Sequence, residues 1–115
     1  MAFRFQNFPV YKEIKIYIKN VYHHSSKFPK DEQFGLSSQL QRAATSIALN
    51  LTEGSDRGSD KKFSHFIQMA IGSLNETVAI FDIGLDNEFI NGQSYDIMIG
   101  QAENIVKQLS GLRRS

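Results

Sequence analysis

Apolar residues recur along this chain at intervals of three and four, the spacing that collects side chains on one face of an α-helix. The first run is Val10, Ile14, Tyr17, Ile18, Val21 and Tyr22. It follows Pro9, a residue suited to a first helical turn because the N–H it lacks would have no intrahelical partner there. Lys12, Lys15 and Lys19 fall on the opposite face. Ser25, Ser26 and Phe28-Pro29 end the run, since the residue before a proline is pushed out of helical geometry. The pattern predicts a helix over 8–25.

A second stripe, Leu36, Leu40, Ala43, Ala44, Ile47 and Leu51, predicts a helix over 35–54, with Ser37 or Ser38 available to cap its early turn. It stops at Gly54-Ser55-Asp56-Arg57-Gly58, where two glycines among small polar residues make a turn, and Ser59 or Asp60 then caps the next helix. That third helix, over 59–87, carries Phe63, Ile67, Ala70, Leu74, Val78, Phe81 and Leu85. Met69, Ser73, Ile80 and Ile83 form a strip to one side of these, so the helix is apolar over more than the usual arc. After the turn at Asn91-Gly92, Met98, Ala102, Ile105, Leu109 and Leu112 predict a fourth helix over 92–112. No alternating strand pattern competes. Four long helices with short connections pack most simply as an all-α, antiparallel, up-down-up-down four-helix bundle.

The 115 residues suit one domain, 1–115, with no repeat or linker to divide it. Cysteine is absent, which removes disulfides, thiolate metal sites and cysteine nucleophiles together. The N-terminus lacks the apolar core of a signal peptide, and no stretch approaches the roughly 20 apolar residues that span a bilayer. A cytoplasmic protein without a membrane partner is expected.

Candidate chemistry is sparse. His23 and His24 are adjacent and diverge on a helix, whereas a helical metal site wants ligands four apart; His65 is isolated. All three read as solvated surface, and no metal or cofactor is expected. Gly54 to Gly58 follows a helix rather than a strand and lacks a Lys-Ser/Thr ending, which excludes a phosphate loop. No catalytic set emerges, so an enzyme is not expected.

Two features remain. Arg42, Ser46, Asn50 and Glu53 recur at spacings of four, four and three beside the apolar stripe of the second helix. With Arg57 in the turn and Ser73 and Glu76 on the third helix, they read as a partly buried polar seam tying the two helices together, with a ligand pocket as the alternative. Charge is the other feature. The formal net charge is +1, but residues 1–30 hold six basic side chains against Glu13 alone, while residues 76–103 hold six acidic side chains and no basic one. Lys12, Lys15 and Lys19, helped by Arg113 and Arg114, are the candidate nucleic-acid-facing surface. Leu49, Met69, Ile80 and Ile83 lie outside the intramolecular stripes and are the candidate contact between copies in a homo-oligomer.

The run Phe28-Pro29-Lys30-Asp31-Glu32, followed by Gly35-Leu36-Ser37-Ser38-Gln39-Leu40 and Arg42-Ala43-Ala44, resembles the signature of a bacterial four-helix bundle family. The likeness continues through Ser46-Ile47, Asn50, Glu53-Gly54 and Arg57, then through Phe63, Phe66, Ala70, Gly72-Ser73-Leu74 and Glu76. The family is named for reading frames in intervening sequences of 23S ribosomal RNA genes, and is similar to the accessory variability protein of diversity-generating retroelements. The resemblance implies a bundle assembled into a ring, commonly a pentamer. For the retroelement branch it also implies nucleic-acid binding through a basic surface. This chain departs from that branch in its near-neutral charge and in the acidic residues from Asp82 to Glu88. Two functions follow as expectations: a non-enzymatic oligomeric scaffold that binds RNA or DNA, or an oligomeric module that binds another protein only.

Overall fold

The computed structural model describes the backbone of residues 3–114 and the side chains of residues 3–113. Four helices carry the fold: α1 (Pro9–Ser25), α2 (Leu36–Ser55), α3 (Asp60–Asp86) and α4 (Gly92–Arg114). Single 3-10 turns at Arg4–Asn7 and Lys30–Glu32 precede α1 and α2, and no strand occurs among the described residues.

The local causes are visible at the ends. Pro9 opens α1. Ser59 caps α3, its Oγ accepting from the Lys62 N–H at 3.2 Å. Neither candidate serine caps α2. Its N-cap is Gly35, and Ser37 is buried instead, donating to the Ser25 carbonyl at 3.2 Å and fastening the start of α2 to the end of α1. A buried hydroxyl must find an acceptor, and the Ser25 carbonyl at the end of α1, which also takes the Phe28 N–H, supplies one.

Cross-helix contacts set the topology. Arg4 at the start of the chain donates to Ser55 at the end of α2, and Ser37 reaches back to Ser25, so α1 and α2 are antiparallel. Gln39–Glu76 at one end and Gly54–Phe66 at the other make α2 and α3 antiparallel. Tyr95–Asp82 with Ser64–Arg113 do the same for α3 and α4, and Asn20–Gln101 with Glu13–Gln108 for α4 and α1. Each helix packs against its two neighbours while the backbones of the diagonal pairs stay apart, so the helices form a closed square, an up-down-up-down bundle.

Ile14, Tyr17, Leu40, Ile47, Phe81 and Leu109 are among the fully buried side chains. Phe28 closes one end of this core at 3 % exposure. Two apolar residues depart from their expected places: Tyr22 is 45 % exposed, and Ile80 is 3 % exposed. Ile80 belongs to the same buried cluster as Leu40 and Phe28 and is not available to a second copy. Its side of α3 faces α2, and those two helices share the most extensive contact in the bundle.

Candidate nucleic-acid and assembly surfaces

The outward side of α1 follows from its core stripe. With Val10, Ile14, Tyr17 and Val21 buried, Lys12, Lys15 and Lys19 are exposed together on the far side. Lys15 Nζ lies 5.0 Å from the centre of the Tyr11 ring, a contact that orients the ammonium without neutralising it. The lone carboxylate of α1, Glu13, is turned aside toward α4, accepting from Asn104 at 2.7 Å and from Gln108. Among the described residues the one ion pair is Arg57–Glu53, so no carboxylate offsets the three lysines.

Arg113 does not join them. Its guanidinium donates to Gln68 and its carbonyl accepts from Ser64, both on α3, the helix diagonally opposite α1. The rotation of α4 about its axis, set by the burial of Ile105 and Leu109, carries residue 113 to that side. The Arg114 side chain lies outside the described residues.

The polar ladder does share the α2–α3 side, but its bonds differ from those expected. Asn50 donates to the Ser46 carbonyl at 2.9 Å, within α2. Glu53 pairs with Arg57 at an exposed site, and the Arg57 guanidinium lies over the Phe66 ring of α3 at 5.1 Å. Glu76 accepts from Gln39 at 3.4 Å. Arg42 is exposed and Ser73 half-buried. The side-chain hydrogen bond between the two helices therefore uses Gln39, which the ladder omitted. The i,i+3 and i,i+4 spacing from Gln39 to Arg42 and Ser46 was the signal that places it on this side.

The two helices come close because Gly54 has no side chain: a Cβ there would sit 2.6 Å from Phe66 Cβ. Elsewhere on these two helices Leu49 is 66 % exposed, and Met69 and Ile83 are also exposed. Phe34, in the connection before α2, is fully exposed at 99 %.

His24 is half-buried rather than solvated, in a concave site of about 190 Å³ with His23, Lys27, Phe89, Asn91 and Ser94. Burial, then the neighbouring His23 and Lys27 charges, push its pKa below the ordinary histidine value. Among the described residues no three His, Cys, Asp or Glu side chains gather to hold a metal ion. No helix among them is long and apolar enough to cross a membrane.

The model of the 23S rRNA-intervening sequence protein family matches residues 6–111. The chain belongs to that family. The match spans all four helices, from the 3-10 turn before α1 to the last turns of α4. A solved structure from Bacteroides thetaiotaomicron, described as a protein with unknown function from the S23 ribosomal protein family, has the same fold. It is 20 % identical, with a TM-score of 0.84, and the alignment covers 92 % of this chain and 96 % of that one. At that identity the likeness bears on the fold alone. Among curated proteins none matches. For this member of the 23S rRNA-intervening sequence protein family, the lysine face and the α2–α3 side are the surfaces the bundle presents.

Proposed function

We propose that this chain is a non-catalytic, cytoplasmic scaffold that assembles into a symmetric homo-oligomer, with five copies expected, and holds the phosphate backbone of RNA or DNA on α1. The observation that carries the nucleic-acid part is the exposed set Lys12, Lys15 and Lys19, with Glu13 turned away toward α4. Phosphate contacts need positive charge on an accessible surface and no base-specific geometry, so binding is non-specific in sequence. In an oligomer the three lysines recur once per copy, and the summed field exceeds what a chain of formal charge +1 offers alone. Self-assembly is supported by the exposure of Leu49, Met69 and Ile83.

The test is to purify the protein at low salt, sequence the nucleic acid that travels with it, and repeat with Lys12, Lys15 and Lys19 changed to glutamate. Nucleic acid is expected with the native chain and is lost from the triple variant. Recovery of none from the native chain, or of equal amounts from both, removes the role of this face.

A second reading is that the chain binds another protein and no nucleic acid. The fully exposed Phe34 ring favours it, because a bare aromatic side chain is a natural anchor for a protein partner. Equal nucleic-acid recovery together with a co-purifying protein lost on Phe34→Ala would place this reading first.

A further inference from the structure

Two imidazoles and an ammonium meet where α1 ends. His23 and His24 stand with ring centres 5.1 Å apart, and Lys27 follows just past the helix. They share the concave site of about 190 Å³ with Phe89, Asn91 and Ser94, which come from the α3–α4 connection and the first turn of α4. Asn91 accepts the Ser94 N–H at 2.8 Å, which fixes that rim and leaves the Ser94 hydroxyl as a neutral donor. Sites that enclose a whole small molecule run to roughly 300–1,000 Å³, so this one suits a single group of a larger ligand.

The sign of that group follows from the charges around it. No carboxylate lines the site. The charges acting on His24 come from His23 and Lys27, and neither of these is held in an ion pair. The acidic residues of this end of the bundle lie elsewhere: Asp82, Asp86 and Asp96 gather about Tyr95, whose hydroxyl donates to Asp82, and Glu88 is exposed outside the lining. Cationic groups brought together without a counter-charge repel, and an anion between them removes that cost.

The site also has a direction of approach. Lys12, Lys15, Lys19 and His23 recur at spacings of three, four and four, so His23 stands in line with the lysines, about 6 Å beyond Lys19 along the axis. A strand held along the lysines therefore runs into the site. There a phosphate within the strand and one at its end differ, because the diester carries one negative charge and the terminal monoester about 1.5 to 2 at pH 7. The monoester also has a free side that can enter a concave site.

We propose that this site takes the terminal phosphate of a nucleic-acid strand whose backbone lies on Lys12, Lys15 and Lys19. His23 and Lys27 supply the charge, the half-buried His24 donates from the more enclosed side, and Ser94 donates from the rim. The proposal rests on the nucleic-acid reading above and adds a preference for strand ends.

Labelled single strands of one sequence are prepared with a 5′-phosphate, a 3′-phosphate or hydroxyls at both ends, and fluorescence anisotropy gives their affinities for the native chain. One phosphorylated strand is expected to bind roughly tenfold tighter than the hydroxyl strand, the weight of one charge-assisted hydrogen bond. That difference should vanish in Lys27→Gln and in His23→Gln, each checked for helicity by circular dichroism. Lys15→Gln should weaken all three strands alike, and Lys107→Gln on α4 controls for net charge and should keep the difference. Equal binding of the three strands by the native chain overturns the proposal and leaves the lysine face standing. A difference that persists in both Lys27→Gln and His23→Gln also overturns it, because the terminal phosphate then sits elsewhere. A chain that binds no strand loses this proposal and the nucleic-acid reading together. Inorganic phosphate that still shifts the His23 and His24 ring resonances in that case identifies free phosphate as the ligand in place of a strand end.

Discussion

The Tyr17 hydroxyl lies 2.8 Å from Thr77 Oγ1 inside the core, linking α1 to α3, helices that stand diagonally opposite and make no other such bond. Thr77 spends its own proton on the Leu74 carbonyl at 2.6 Å, so the phenol is the donor to Thr77. Every buried side-chain polar atom among the described residues is partnered, and this pair is how the one phenol in the core is accommodated.

Removing either partner is therefore asymmetric. Thr77→Val strands a buried phenolic O–H and should cost roughly 1–3 kcal/mol. Tyr17→Phe leaves Thr77 still bonded to Leu74 and should cost about 1 kcal/mol. The double variant removes both groups and should fall closer to the native chain than the sum of the two. Denaturant unfolding of all four proteins measures the coupling, and simple additivity would show that the bond carries no energy.

Burial also raises the Tyr17 pKa from 10.0 to about 12, because the phenolate would be cut off from water in the core. Its folded pKa lies above its unfolded value, so the stabilisation is complete below pH 10 and is lost as pH rises toward 12. Stability should fall more steeply across that window in the native chain than in Tyr17→Phe. Parallel curves for the two would show that Tyr17 ionises freely in the folded state.

Helix identity was legible because burial imposes a period: Val10, Ile14, Tyr17 and Val21 repeat as a single helical face, and each is buried. The rotation and separation of neighbouring helices leave no such period. Ile80 and Ile83 look alike in the pattern, yet one is 3 % exposed and the other 47 %, because the approach of α2 decides how wide the buried arc of α3 becomes. Ser37 reads as a cap until the α1–α2 hairpin places the Ser25 carbonyl above it. Arg113 reads as an ally of Lys12 until the turn of α4 delivers it to Gln68. The lysine face was visible because it needs only the opposite side of one helix.

Gly54 and Gly100 make a matched pair of substitutions. Both lie within helices, where alanine is intrinsically better than glycine by about 1 kcal/mol. A Cβ at Gly100 meets nothing within 4 Å, so Gly100→Ala should raise the melting temperature. At Gly54 the new Cβ would lie 2.6 Å from Phe66 Cβ, which forces α2 and α3 apart at a cost of roughly 1–3 kcal/mol. Gly54→Ala should lower the melting temperature despite its helical preference. A rise at both positions would mean that the α2–α3 approach is not tight.

Glu88 closes α3 with φ of 63°, a left-handed conformation normally left to glycine. Its N–H bonds the Leu85 carbonyl at 3.1 Å, and the next N–H, of Phe89, bonds the Gly84 carbonyl at 2.7 Å. These are the paired bonds of a Schellman ending. The Cβ of a non-glycine residue costs roughly 1–2 kcal/mol there. Glu88→Gly should therefore stabilise the protein, by about 1 kcal/mol after the extra entropy glycine loses on folding. An unchanged or lower denaturant midpoint would show that the Glu88 side chain compensates through a contact of its own.

Salt dependence offers the sharpest measure of the α1 face, because each phosphate neutralised by a lysine releases counterions. For double-stranded DNA the slope of log affinity against log salt is about −0.9 for every phosphate contacted. Lys12, Lys15 and Lys19 are spread along two turns of one exposed helical face, so all three can lie on the backbone together. Changing one of them to glutamine should shallow the slope by close to one unit and weaken binding to every sequence alike. Lys15→Gln tests this with the least disturbance, since its contact with Tyr11 is at the surface. Lys107→Gln, on the outward side of α4, serves as the charge-matched control and should leave the slope unchanged. If both variants shift it equally, binding responds to net charge alone and the α1 face has no special role.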